Sequence, residues 1–358
     1  MKRKGLLVLM LLFLTGCQEI YSVEDRAIVQ ILGYDYVDDK EVKGTVGIPH
    51  YGEEEKRTVE ELNLTVTAQS IKEFTDKIEK ESSKPISIGK LTVSLYDREL
   101  AENGLDEFLD VLSRDPRIGR NIHLGIVDGE VQEMIEAKYN QNETTARYVN
   151  SIIKNNSRRN FPRSNLHWFL YAYYAEGLDG YLPLLKKQNS HIKVTGIALF
   201  DKGTFVSTVE EDKVLILKLL KEKVEKGTAS LPTEEKTGIE ISDSNVKYRI
   251  NTKGEVPEFN ISLTITGFIN EIQESSLDKE QTPELANKLE KDFAEYFKEN
   301  SEELIAQFQE NNTDPLGLGN LLKNRRQGFD KEKWEEQYPD VPVNVDVDVK
   351  ITGIGISL

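Results

Sequence analysis

Cys17 is the residue whose setting most clearly implies chemistry. It closes the run Leu14-Thr15-Gly16-Cys17, which follows Lys2, Arg3 and Lys4 and a nine-residue apolar stretch from Leu6 through Leu14. A stretch of that length fits the roughly 7–15 residues of a signal-peptide core and falls well short of the ~20 that span a bilayer. A thiol at its end can form a thioether to diacylglycerol, and small residues before it let the backbone lie in a peptidase cleft. Residues 1–16 are therefore read as a lipoprotein signal peptide and Cys17 as the lipidated first residue of the mature chain, on the outer face of a membrane. An ordinary signal peptide with an incidental cysteine, or a buried N-terminal helix, would not require small residues and cysteine at the end of the apolar run.

Other reactive constellations are weak. Cys17 is the single cysteine, so intrachain disulfides, cysteine nucleophiles and thiolate metal sites are excluded from the mature chain. His50, His123, His167 and His191 fall on different elements, and none is paired at HxH or HxxxH spacing, which favours scattered core or solvated histidines over a metal site. No Gly-x-Ser-x-Gly elbow occurs, and carboxylates are too abundant to single out an acid/base pair. Gly317 and Gly319, in Asp314-Pro315-Leu316-Gly317-Leu318-Gly319-Asn320, lack the Lys-Ser/Thr of a phosphate loop and the third glycine of a dinucleotide turn. They read as a break between two helices. The expectation is a non-enzymatic chain with no cofactor and no tightly bound metal.

Two patches suit contact rather than chemistry. Trp168, Phe169, Tyr171, Tyr173 and Tyr174 lie at helical spacing, with Trp168, Tyr171 and Tyr174 on one side and Phe169 and Tyr173 on another. Core packing and an interaction face are both open readings, the first favoured. Arg158, Arg159 and Arg163, around Phe161-Pro162, form a positive spot in a chain of net charge −16. They read as a solvated loop or as a contact for headgroups or an acidic partner. Cleavage removes Lys2, Arg3 and Lys4 and takes the charge to −19. A surface this acidic is repelled by nucleic acid and anionic headgroups, so the lipid must do the anchoring, with two or more acyl chains.

The elements that would carry these residues read as mixed α+β, two to three domains of sheets with packed helices. Ala27–Tyr36 and Glu41–Ile48 form a hairpin, and the charged loop 52–57 leads to a strand at Leu62–Val66. A capping box at Ser70-Ile71-Lys72-Glu73 starts a helix. Ile86–Tyr96 reads as one strand, Leu105–Leu112 as a helix, Asn121–Val127 as a strand and Glu130–Ala137 as a short helix. Helices follow over Thr144–Lys154 and Asn165–Ala175. Gly177–Ser190, with Pro183, reads as a connecting region, and the domains are drawn as 17–190 and 191–358. A hairpin spans Ile192–Thr208. A second capping box, Thr208-Val209-Glu210-Glu211, opens a helix running to Gly227. Two or three strands lie between Thr237 and Asn270. Pro283 opens a long helix with Leu285, Leu289, Phe293, Phe297, Leu304 and Phe308 on one face. Val343–Ile351 alternates as a closing strand.

Several stretches, taken in order, resemble the Ger(x)C family, the lipoprotein C subunits of nutrient germinant receptors in spore-forming bacteria. They are Asp25-Arg26 with Ala27–Val29; Ile88–Leu91, Glu99–Leu105 and Leu109–Asp115; Thr195–Phe200; and Asp314–Gly319 with Arg325 or Arg326, Trp334 and the terminal strand. The family's usual Cys-Trp-Asp is Cys17-Gln18-Glu19 here, which leaves processing intact and the receptor subtype open. The resemblance implies a three-part receptor at the spore inner membrane, with two multipass subunits of A and B type beside this lipoprotein on the cortex side. It implies no catalytic residues, and Gly317, Gly319 and Trp334 read as structural. Partner contact would fall to Trp168, Tyr171, Arg158, Arg159 and Arg163. A solute-binding lipoprotein of a transporter is the alternative and would need a deep polar cleft between domains.

Overall fold

Alternation along the central strands sends successive side chains to two separate cores, and this sets the architecture. The computed structural model describes residues 25–51, 59–139, 142–232, 237–272, 283–325 and 328–354. The signal peptide, Cys17, the loop 52–57, Asn140, Gln141, Arg326 and residues 355–358 lie outside them.

The elements, in chain order, are β1 (Ala27–Ile28), β2 (Ile31–Asp38), β3 (Glu41–Tyr51), β4 (Val59–Ala68), α1 (Ile71–Glu81), β5 (Ile86–Ser87), β6 (Val93–Asp97), α2 (Arg98–Asn103), α3 (Asp106–Arg114), β7 (His123–Val127), α4 (Val131–Glu136), α5 (Thr145–Ser157) and α6 (Leu166–Tyr174). Then come β8 (Tyr181–Gln188), β9 (His191–Asp201), β10 (Thr204–Glu210), α7 (Val214–Lys221), β11 (Gly227–Ser230), β12 (Thr237–Asn251), β13 (Glu258–Ile272), α8 (Pro283–Glu310), α9 (Leu318–Arg325), α10 (Lys331–Gln337) and β14 (Val343–Ile354). An eight-stranded mixed sheet runs β10-β9-β8-β7-β6-β2-β3-β4, and a four-stranded sheet runs β11-β12-β13-β14.

In the large sheet Ile31, Leu95 and Leu185 join one core while Leu32, Tyr96 and Leu184 join the other, as period-2 alternation demands. The second core holds Phe74 and Ile78 of α1, Phe108 and Leu112 of α3, and Phe169 and Leu170 of α6. The first holds side chains of α4, α5 and α7 and continues into the small sheet and α8. There Leu289, Phe293, Phe297, Leu304 and Phe308 are buried with Phe259, Ile261, Val345 and Val349. The long helix therefore covers the closing strand, as its spacing predicts.

Three expectations are corrected. The strand drawn over Ile86–Tyr96 is two: Ile86–Ser87 pairs in parallel with Ala27–Ile28, and Val93–Asp97 enters the large sheet beside β2. A turn closed by Leu91 N–H donating to the Ile88 carbonyl (3.0 Å) separates them. The connecting region is strand β8, and Pro183 is tolerated because β7 meets β8 only at Leu184 and Leu185; no ladder donor is lost at the proline. The second capping box does not form, since Thr208 is still in β10 and α7 begins only after a 3-10 turn. That helix ends at Lys221, and Gly227 opens β11. The border drawn at 190 falls in the turn between β8 and β9, which pair from Tyr181 to Gln188.

The Ser70 box forms with a shift. Ser70 Oγ accepts from Glu73 N–H at 3.2 Å, while the Glu73 carboxylate reaches Gln69 N–H at 2.7 Å.

Candidate partner-binding site

Helix α6 is nearly all apolar and aromatic, yet only one side of it is buried. Asn165 starts it by accepting Trp168 N–H at 3.0 Å. Phe169 faces inward, its ring 5.1 Å from that of Phe200. Trp168, Tyr171 and Tyr174 stay 52%, 48% and 65% exposed, which rules out core packing for these three. Trp168 and Tyr171 meet edge to face at 6.2 Å, and His167 packs on Trp168 at 5.5 Å. Large rings left half in water offer contact area at low entropic cost.

The Asp314–Gly319 segment docks beside this row. Asp314 is buried, and its carboxylate accepts the N–H groups of Gly317, Leu318 and Gly319 at 2.7–2.9 Å. One side chain thus satisfies the orphan donors at the start of α9. Gly317 turns the chain with φ of +73°. A Cβ on Gly319 would stand 2.3 Å from Trp334 Nε1 and 2.8 Å from the Gly177 Cα, so glycine is what lets the two chain segments touch. Asn320 N–H donates to the Gly177 carbonyl at 2.7 Å, and Tyr171 reaches Asn320 Oδ1 at 3.4 Å. Asp179 and Asp314 are linked both ways: the Asp179 carboxylate accepts Asp314 N–H at 2.7 Å, and Asp179 N–H donates to the Asp314 carbonyl at 3.0 Å. Lys221 donates to the Pro315 carbonyl and lies 5.2 Å from the centre of the Tyr181 ring.

Burial shapes the charges. It pushes the Asp314 carboxyl up to about 7 and that of Asp179 up to about 6, and brings Lys221 down to about 8. The two carboxylates are occupied as acceptors for backbone N–H groups. The arrangement is built to clamp the chain.

Between α6 and this segment lies a groove of about 250 Å³, lined by Arg163, Trp168, Tyr171, Leu178, Gly317 and Asn320 among others. Three of the sequence-derived contact residues, Trp168, Tyr171 and Arg163, therefore meet at one place. Arg163 is also 3.4 Å from the Glu222 carboxylate. Arg158 and Arg159 are exposed in the turn after α5, and Lys218 holds that turn by donating to the carbonyls of Ser157 (2.8 Å) and Arg159 (2.6 Å). The sequence reading missed Asn320, Leu178 and Gly177, because a contact across more than a hundred residues leaves no local spacing to read. Of the histidines, His123 is buried with Nδ1 2.9 Å from the Ser164 carbonyl, and burial lowers its pKa. Among the described residues no group of three or more His, Cys, Asp or Glu is placed to hold a metal. Nor is any described helix long and apolar enough to cross a membrane.

Comparison with known proteins accounts for most of the chain. Residues 20–187 match the model of the spore germination protein N-terminal domain, and residues 195–355 match that of the spore germination B3/GerAC-like C-terminal region. The chain belongs to the Ger(x)C family of spore germination proteins. Spore germination protein GerQC of Bacillus cereus is 29% identical, with both chains covered in full. Spore germination protein B3 of Bacillus subtilis is 22% identical over 97% of this chain and 96% of its own. The crystal structure of the GerBC protein has the same fold at 18% identity, with a TM-score of 0.56 over 90% of this chain and 96% of that one. The mixed α+β architecture is thus that of a Ger(x)C protein, and the role lies in spore germination.

Proposed function

We propose that this Ger(x)C protein is the C subunit of a nutrient germinant receptor, held by lipid on Cys17 at the outer face of the spore inner membrane. There it acts by contact with two multipass subunits of A and B type and carries out no catalysis. The observation that carries this reading is the row of half-exposed rings Trp168, Tyr171 and Tyr174, the first two of which line the groove beside Gly317 and Asn320. Such rings beside a rigid, fully bonded clamp suit a protein partner. The solute-binding alternative needs two lobes hinged about a deep polar cleft, and the large sheet runs unbroken across residue 190.

Two results are expected. Replacing both Trp168 and Tyr171 by alanine leaves the thermal midpoint within about 2 °C of the parent, because both are half exposed. It lowers recovery of the membrane subunits in affinity purification by roughly tenfold or more. Unchanged recovery would remove this face from the interface. Cys17→Ala leaves an uncleaved precursor or a released chain, since the acidic surface cannot hold the protein to anionic lipid. Membrane fractionation with mass measurement reads this directly, and normally processed protein on the membrane would contradict the anchor.

A further inference from the structure

Helices α1 and α3 lie on the same face of the large sheet, over β2 and β6, with a cavity of about 420 Å³ between them. Tyr34 and Tyr96 floor it, Phe74 and Ile78 wall it on one side, and Phe108 and Leu112 on the other. Those rings pack tightly among themselves: Tyr34 lies 4.7 Å from Phe108, 5.4 Å from Phe74 and 5.9 Å from Tyr96. The volume lies in the range of small-molecule sites, and a mainly apolar lining with few polar groups is their usual chemistry.

One of those polar groups makes no hydrogen bond to the protein. The Tyr96 hydroxyl accepts from Ser94 Oγ at 3.0 Å. Tyr34 lines the cavity while only 4% exposed, and its hydroxyl makes none of the hydrogen bonds found among the described residues. Burial raises its pKa far above the ordinary tyrosine value, so the group stays a neutral O–H. Of the charged side chains at the edge, Asp115 and Arg117 pair with each other at 2.6 Å, and Lys72, Glu79 and Glu107 carry both signs of charge around an apolar floor.

We propose that this cavity is a binding site for a small, uncharged aromatic or branched-aliphatic molecule bearing one hydroxyl or carbonyl group, which completes the hydrogen bonding of Tyr34. The site is remote in sequence from the α6 groove and stands independently of the receptor reading.

The test uses the full chain in lipid nanodiscs and fluorine NMR of two probes, 4-fluorobenzyl alcohol and 4-fluorotoluene, with empty discs as the background. Both probes should broaden beyond that background with the parent protein. Val111→Trp, which fills the cavity from α3, should abolish the broadening; Ile71→Phe fills it from α1 should the first variant fail to fold. Tyr34→Phe, which keeps the ring and the packing, should weaken the alcohol by about tenfold and leave 4-fluorotoluene unchanged, the ratio expected for one lost hydrogen bond. Broadening no greater than in empty discs, or broadening that survives a folded cavity-filling variant, would overturn the site. Equal affinity of the alcohol for parent and Tyr34→Phe would overturn the role of the hydroxyl and with it the ligand class.

Discussion

Asp314→Ala is expected to cost about 3–5 kcal/mol and to lower the thermal midpoint by roughly 10 °C. The reason is a count of donors. In the parent, one buried carboxylate accepts three backbone N–H groups at the start of α9. Alanine leaves the Leu318 and Gly319 N–H groups without an acceptor in a place that water reaches poorly, Gly317 keeping only the Asp314 carbonyl at 3.1 Å, and each orphan is worth about 1–3 kcal/mol before local relaxation. The effect carries a pH signature. Burial raises the folded pKa from 3.8 to about 7. Between those values the folded state holds a proton that the unfolded chain has released. The stability linked to this proton is therefore fully present below the unfolded value and is lost as pH rises through about 7. Alanine removes that slope, so the penalty measured by urea titration should be larger at pH 5 than at pH 8. A penalty equal at the two pH values would mean the carboxyl is ionised throughout.

Leu289→Asp is expected to cost about 3–5 kcal/mol by a different route. Leu289 is 6% exposed on the inner face of α8, in one core with Phe293, Val345 and Val349. Aspartate loses the leucine's burial and puts a carboxyl in the core, where it must either stay unpaired or bind a proton. Because α8 covers the closing strand β14, the damage should spread to the whole small sheet and lower the urea midpoint without a separate early transition. A midpoint equal to the parent's would mean that α8 does not pack there.

What was legible in the sequence follows the range of the forces involved. The inner face of α8 repeats an apolar residue every three or four positions except at Ser301, and Val343 to Ile351 alternates, so both elements and their buried sides could be read locally. The sidedness of α6 was equally clear, but not which side faces water: every residue from Trp168 to Tyr174 except Leu170 and Ala172 is aromatic, and only the position of Phe200 decides that Phe169 goes in. Pro183 misled because a proline's cost depends on whether a neighbouring strand needs its N–H, and that is a property of the sheet. Thr208–Glu211 has the residues of a capping box, yet pairing of β10 with β9 holds Thr208 extended. The contact of Gly177 with Gly319 is the plainest case, since two glycines far apart in the chain reveal their closeness only once folded.

The receptor reading meets its most direct test in a spore-forming strain in which the receptor containing this chain is the only one left. With the gene for this protein deleted, the membrane subunits should be depleted or fail to co-purify. Nutrient-triggered germination should be lost, germination by triggers that need no receptor should be intact, and the parent gene should restore the nutrient response. Spores of that deletion strain that still germinate on the nutrient would contradict the account.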